Sequence, residues 1–181
     1  MLAGRLHPLP LADGTGTEVL TWLDDHSRLV LSVTAHARVT GPIVLAGFRA
    51  AVAAYGAPAS TLTDNGMVFT TRLPGGKGGR NGLETELRRL GSTQKNGKPG
   101  HPQTQGKVER FQQTLKKWLR AQPRQPATIT QLQALLDAFT DEYNHRRPHK
   151  SLAHRATPAT AYQARPKATP GSRDTDTPCK A

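Results

Sequence analysis

Apolar and polar positions along this chain change period several times, and each change predicts an element. Residues 18–23 alternate, Asp24, Asp25, His26 and Ser27 supply turn chemistry, and residues 29–35 form a β-rich run. Together they read as a hairpin. Gly41 and Pro42 open a helix whose apolar positions are Ile43, Leu45, Ala46, Phe48, Val52 and Tyr55, and Gly56 is its natural stop. The short run Ser60–Thr63 reads as a buried strand ending at Asp64-Asn65-Gly66. Residues 83–90 predict a short helix, and residues 92–95 a last short strand. The strongest pattern spans 104–122, where Val108, Phe111, Leu115, Trp118 and Leu119 share one face. Gln105, Glu109, Gln112 and Lys116 lie on another. A final helix is expected over 129–145, with Thr128 and Gln131 as a capping box and Leu132, Leu135, Leu136, Phe139 and Tyr143 as its stripe.

Three stretches carry no such period. Residues 1–17, with Pro8, Pro10, Gly14 and Gly16, read as irregular. Residues 72–82 form a glycine-rich basic loop with Arg72, Lys77 and Arg80. Residues 166–181 have almost nothing to bury and read as a disordered tail. The domain layout is therefore an irregular segment over 1–17, a core over 18–165 and the tail.

Composition narrows the function. Of 181 residues, 25 are Lys or Arg and 13 are acidic, a net charge of +12 that attracts polyanions, DNA or RNA first. The single cysteine, Cys179, excludes an intrachain disulfide and a cysteine-based metal site. No apolar run is long enough to span a bilayer, and a cytoplasmic protein is expected.

Two carboxylates stand out by position. Asp64 ends a buried strand, and Glu109 sits on the polar face of a helix whose other face is core. Such a pair can share divalent cations, which take only one or two protein carboxylates and complete their shells with phosphate and water. Taken alone, Asp-Asn-Gly is a good turn in any protein, and Glu109 a solvated helix charge.

Four stretches in one order resemble the integrase catalytic core of bacterial insertion-sequence transposases, the DDE group related to retroviral integrases. They are Trp22-Leu23-Asp24-Asp25-His26-Ser27-Arg28; Thr63-Asp64-Asn65-Gly66; the run from His101 through Gly106, Glu109 and Phe111; and Tyr143-Asn144-His145-Arg146-Arg147-Pro148-His149, followed by Leu152 and Thr157-Pro158. The resemblance implies an RNase H-like α/β fold, a mixed five-stranded sheet flanked by helices. It implies that Asp64 and Glu109 are catalytic metal ligands for Mg²⁺ or Mn²⁺. It places Lys116, Lys107, Arg110, His101 and Gln105 toward DNA, with Arg146 and Arg147 gripping phosphates or capping a helix dipole.

Two departures qualify it. Glu109 follows Asp64 at a wider spacing than in many family members, which the 72–82 loop explains as an insertion. The slot for the family's first catalytic aspartate falls within residues 2–8, and none of them is acidic. The first strand is thus expected to be incomplete. The implied function is DNA integration and transposition by metal-dependent phosphodiester cleavage and strand transfer, in a truncated and impaired copy. Its partners are DNA at element ends and target, and a second copy or a full-length transposase, with no membrane. The alternative is a non-catalytic DNA-binding fragment that interferes with full-length transposase. An RNase H-like nuclease fits the 143–149 signature less well.

Overall fold

The computed structural model describes residues 1–71, 79–96 and 106–171. Five strands, β1 (Leu2–Pro10), β2 (Gly16–Asp24), β3 (Val30–His36), β4 (Ser60–Thr63) and β5 (Thr93–Asn96), form one sheet in the order β3-β2-β1-β4-β5. The first three make an antiparallel meander, and β4 and β5 add in parallel. The helices are α1 (Gly41–Tyr55), α2 (Gly82–Arg89), α3 (Gly106–Arg120), α4 (Ile129–Asp141) and α5 (Pro158–Gln163).

The sheet separates two cores. On one face Ala3, Leu9, Val19, Leu23, Val33 and Leu62 pack under Val108, Phe111 and Leu115 of α3 and Leu132, Leu136 and Phe139 of α4. On the other, Leu2, Leu20 and Trp22 pack under Val44 and Phe48 of α1 and Leu83 and Leu87 of α2. Because helices cover both faces, Val19 through Leu23 are all buried, and the strand alternation is between two cores rather than between core and water.

Residues 1–17 are not irregular. β1 is a nine-residue strand at the centre of the sheet, paired with β2 from Leu2↔Asp24 to Pro10↔Gly16. Its prolines obscured it. β4 accompanies β1 only over Leu2–Gly4, so Pro8 and Pro10 fall where β1 has a neighbour on one side alone, and a missing N–H costs no ladder bond there. Of the expected tail, residues 166–171 are described: the Ala168 carbonyl accepts from the Ala59 N–H at 3.2 Å, and the Lys167 ammonium stands 3.4 Å from the centre of the Tyr162 ring. The rest lies outside the described residues, as does most of the 72–82 loop.

Two helix ends differ from expectation. The Thr128 hydroxyl accepts from the Gln131 N–H, but the Gln131 side chain accepts from the Ala127 N–H, so the box is not reciprocal. The last helix leaves α geometry at Asp141 and continues as one π-helical turn, Glu142–Arg146. The wider turn lets two successive residues face inward. Tyr143 meets Phe111 edge-on at 5.1 Å, and Asn144 reaches the sheet.

Asn144 serves β3 as a missing strand would. Its side-chain oxygen accepts from the Val30 N–H at 2.9 Å, and its amide donates to the Val30 carbonyl at 2.9 Å. Gln133 does the same one turn of sheet along, bonding the Ala35 N–H at 2.8 Å and the Val33 carbonyl at 3.0 Å. Two side-chain amides thereby close the outer edge of β3.

Candidate active site and nucleic-acid interface

β4 ends at Thr63, and the chain then turns tightly. The Asp64 carboxylate accepts from the Gly66 N–H at 2.9 Å, an Asx turn. A Cβ on Gly66 would lie 2.9 Å from that same oxygen, which is why a glycine closes the turn. Phe69, fully buried against Trp22, pins the segment to the sheet.

Strand register brings the end of β4, where Asp64 begins the turn, level with Arg5 of β1. Ala3 and Leu62 are register partners and both pack in the α3–α4 core. Arg5 and Asp64 each follow directly on the register partners Gly4 and Thr63. Glu109 lies in the first turn of α3, and the Arg5 guanidinium donates to its carboxylate at 2.9 Å. Both side chains keep some contact with water, so the pair contributes only about 1 kcal/mol or less to stability.

Along β1 the α3 face reads Ala3, Arg5, His7, Leu9. His7 is buried with neither ring nitrogen hydrogen-bonded. Burial, then the nearby Lys116 and Arg5 charges, push its pKa down to about 4. Lys116 thus lies over β1, beside Pro8, Leu9 and Pro10. Gln112, expected on the polar face of the helix, is buried instead, its amide nitrogen without a partner.

A divalent cation needs a cluster of anionic or neutral oxygen donors. Among the described residues no group of three or more His, Cys, Asp or Glu side chains converges. The Glu109 carboxylate faces the Arg5 guanidinium, which has donors only and stays charged at any ordinary pH. These side chains do not fit a two-metal site.

The opposite flank of α3 carries a broad groove of about 970 Å³. Its cations are Arg28, Lys107, Arg110, Lys117, Arg147 and Lys150, its aromatic walls are Trp118, Tyr143 and His149, and among the described residues no carboxylate lines it. Burial pushes the Tyr143 phenol up to about 12, against the pull of Arg28 and Arg147. Burial, reinforced by the same two arginines, lowers the His149 pKa. The groove therefore carries its charge on lysines and arginines.

Its rim is built by the turn after β2. Asp24 accepts from the Ser27 N–H and hydroxyl at 2.8 and 2.7 Å. Arg28 adopts a left-handed φ of 67° and donates to the Asp25 and His26 carbonyls. Lys107 pairs with Asp25 at 2.6 Å, tying α3 to this turn.

Of the residues expected to meet DNA, the structure brings Lys107, Arg110 and Arg147 together in the groove, although Lys107 is already ion-paired. Lys116 lies apart, over β1. Arg146 is exposed and pairs with Asp141 at 2.5 Å, outside the groove lining. His101 and Gln105 lie outside the described residues. Sequence reasoning missed Arg5, hidden in a segment read as irregular, and Lys117 and Lys150, which carry no motif. Arg28 was visible only as the end of the Trp22–Arg28 motif.

The described helices include none long and apolar enough to cross a membrane. A family model described as "Integrase core domain" matches residues 90–158. The fold is similar to a chain of the simian T-cell lymphotropic virus intasome in complex with the PP2A regulatory subunit B56 gamma, at a TM-score of 0.71 and 19% identity over 98% of this chain and 59% of that one. It is similar also to the HTLV-2 integrase catalytic core solved with magnesium, at 0.66 and 18% over 89% and 94%. The BIV integrase catalytic core matches at 0.63 and 22% over 90% and 93%. The chain spans 59% of the intasome chain it matches, and nearly the whole of the isolated catalytic cores. This chain therefore has the RNase H-like fold of an integrase catalytic core, with the integrase core signature running from the end of α2 to the start of α5.

Proposed function

We propose that this chain is the core module of a DNA-integrating recombinase of the insertion-sequence transposase type, and that it holds DNA without itself performing strand transfer. The observation that carries the reading is the groove along α3, lined among the described residues by six cationic side chains and no carboxylate. Duplex DNA presents closely spaced phosphates, and lysines and arginines that neutralise them release condensed counterions. Trp118, Tyr143 and His149 offer apolar faces between the charges, which suits a sugar or an unstacked base. Asp64 and Glu109 are the acidic pair of the site in this reading, and Asn65 and Gly66 shape the turn beside it. Mg²⁺ or Mn²⁺ is the metal the resemblance implies for intact relatives. The side chains present here do not form that site, and no chemical step is assigned to it.

Fluorescence anisotropy with a labelled duplex, repeated across a salt series, tests the reading. Affinity should fall steeply with salt, and Arg110→Ala and Arg147→Ala should each weaken binding for all sequences and flatten the log–log salt slope by about one. Binding that ignores salt, or that survives both substitutions, refutes it.

A second reading has support in the Arg5–Glu109 pair. A core that binds DNA but lacks a metal site would occupy element ends in assemblies with a second copy or a longer, active relative. Mixing it with an active transposase should then inhibit strand transfer in proportion to its share of the assembly.

A further inference from the structure

We infer that Arg5 acts as a built-in cation at the Asp64–Glu109 edge, so that this site excludes divalent metal and a single change of charge at Arg5 would open it. The inference rests on the integrase-core reading of the site but not on DNA binding. A charged residue is out of place on this strand: its neighbours on the α3 face, Ala3, His7 and Leu9, are uncharged and buried. Arg5 is held there by Glu109 at 2.9 Å and by register stands at the level of Asp64. A metal ion approaching the pair would have to break the Arg5–Glu109 contact and then sit beside a fixed positive charge with no lone pair to offer. Arg5 thus neutralises Glu109 beside the strand end that carries Asp64, without a metal. Replacing it with aspartate puts a third carboxylate on the central strand, facing the other two elements.

The test is calorimetric titration of Mn²⁺ into the full chain, with thermal melts in Mg²⁺ as a second readout. The wild type should show no saturable uptake in the micromolar range and no Mg²⁺-dependent rise in melting temperature. Arg5→Asp should bind Mn²⁺ at least about 100-fold more tightly than the wild type, because a nearby positive charge has been exchanged for a negative one. Adding Asp64→Asn should abolish that gain. Should Arg5→Asp fail to fold, Arg5→Gln decides: removing the charge alone should tighten binding by about tenfold. Saturable Mn²⁺ uptake by the wild type that Asp64→Asn abolishes overturns the inference, and that arm needs no Arg5 variant. So does a folded Arg5→Asp or Arg5→Gln that binds no better than the wild type. A metal-binding Arg5→Asp with no affinity for DNA would keep this inference and sink the DNA reading.

Discussion

Gly4→Ala is a one-methyl change that should disturb the core around Trp22. Gly4 pairs with Trp22 across the β1–β2 ladder, and the indole lies over it. A Cβ built on Gly4 meets ring carbons of Trp22 at 2.4, 2.8 and 2.8 Å. Carbon atoms pack best about 3.5–4.0 Å apart, so more than about 1 Å of movement is required. The ring has nowhere to go. Phe48 and Phe69 flank it at centroid distances of 5.5 and 6.1 Å, and a Cβ on Gly47 would already be 3.3 Å from its nitrogen. Overpacking of this kind costs about 1–3 kcal/mol, and the rigid surroundings argue for the upper end. The smaller conformational freedom of alanine in the unfolded chain offsets roughly 0.5–1 kcal/mol. The expected net loss is about 2 kcal/mol, a fall in melting temperature of roughly 4–8 °C for a chain of this size. Urea unfolding followed by fluorescence reads it directly. The same substitution in a Trp22→Leu background should be nearly neutral, because the clash is gone, and the difference between backgrounds isolates the contact. Equal costs in the two backgrounds, or a Gly4→Ala protein as stable as its parent, would refute the argument.

Further outcomes follow from features already described. His7, with a folded pKa of about 4, binds no proton in the native state where the unfolded chain, titrating near its ordinary value of 6.5, does. Its contribution is therefore fully present above pH 6.5 and is lost as pH falls toward 4, by about 3 kcal/mol in all. Urea midpoints across that range should be flatter in His7→Leu than in the wild type, and parallel curves would count against the buried neutral imidazole. Asn144→Ala strips partners from both the buried N–H and the carbonyl of Val30, and should cost about 2–4 kcal/mol. Gln133→Ala likewise strips the Ala35 N–H and the Val33 carbonyl, both on buried residues, and should cost about 1–3 kcal/mol, measurable in thermal melts.

Much of the fold was legible because its signals are local. The Ser60–Thr63 strand, the proline-opened α1 and the amphipathic α3 each carry their own pattern, and the motif order tied them to one architecture. What stayed hidden is set by partners distant in sequence. β1 carries Gly4, Arg5, His7 and two prolines among its nine residues, and only its pairing with β2 and the brief company of β4 make it a strand. Asn144 looks like one polar residue in a basic motif until the π-helical turn carries it to Val30. Lys107 and Arg146 are equally basic in sequence, but the acid across from each decides what it does, and Asp25 lies 82 residues from its lysine. Arg5 was legible only as a missing acid; that it contacts Glu109 follows from α3 packing over β1, 104 residues on in sequence, which no local pattern encodes.

The closure of β3 by side-chain amides also sets a schedule for synthesis. The β2–β3 hairpin is complete by His36, but Gln133 and Asn144 follow the groups they satisfy by 98 to 114 residues. At about 5–20 residues per second, roughly 5–23 s pass between emergence of the strand and of the amides that close it. Throughout that interval Val30, Leu31 and Val33 present an unpaired edge of strong β-formers, the geometry that recruits neighbouring chains. Solubility during production should therefore depend on the pace of translation between codons 36 and 144 and on the holdase chaperones present, more than on the stability of the finished molecule.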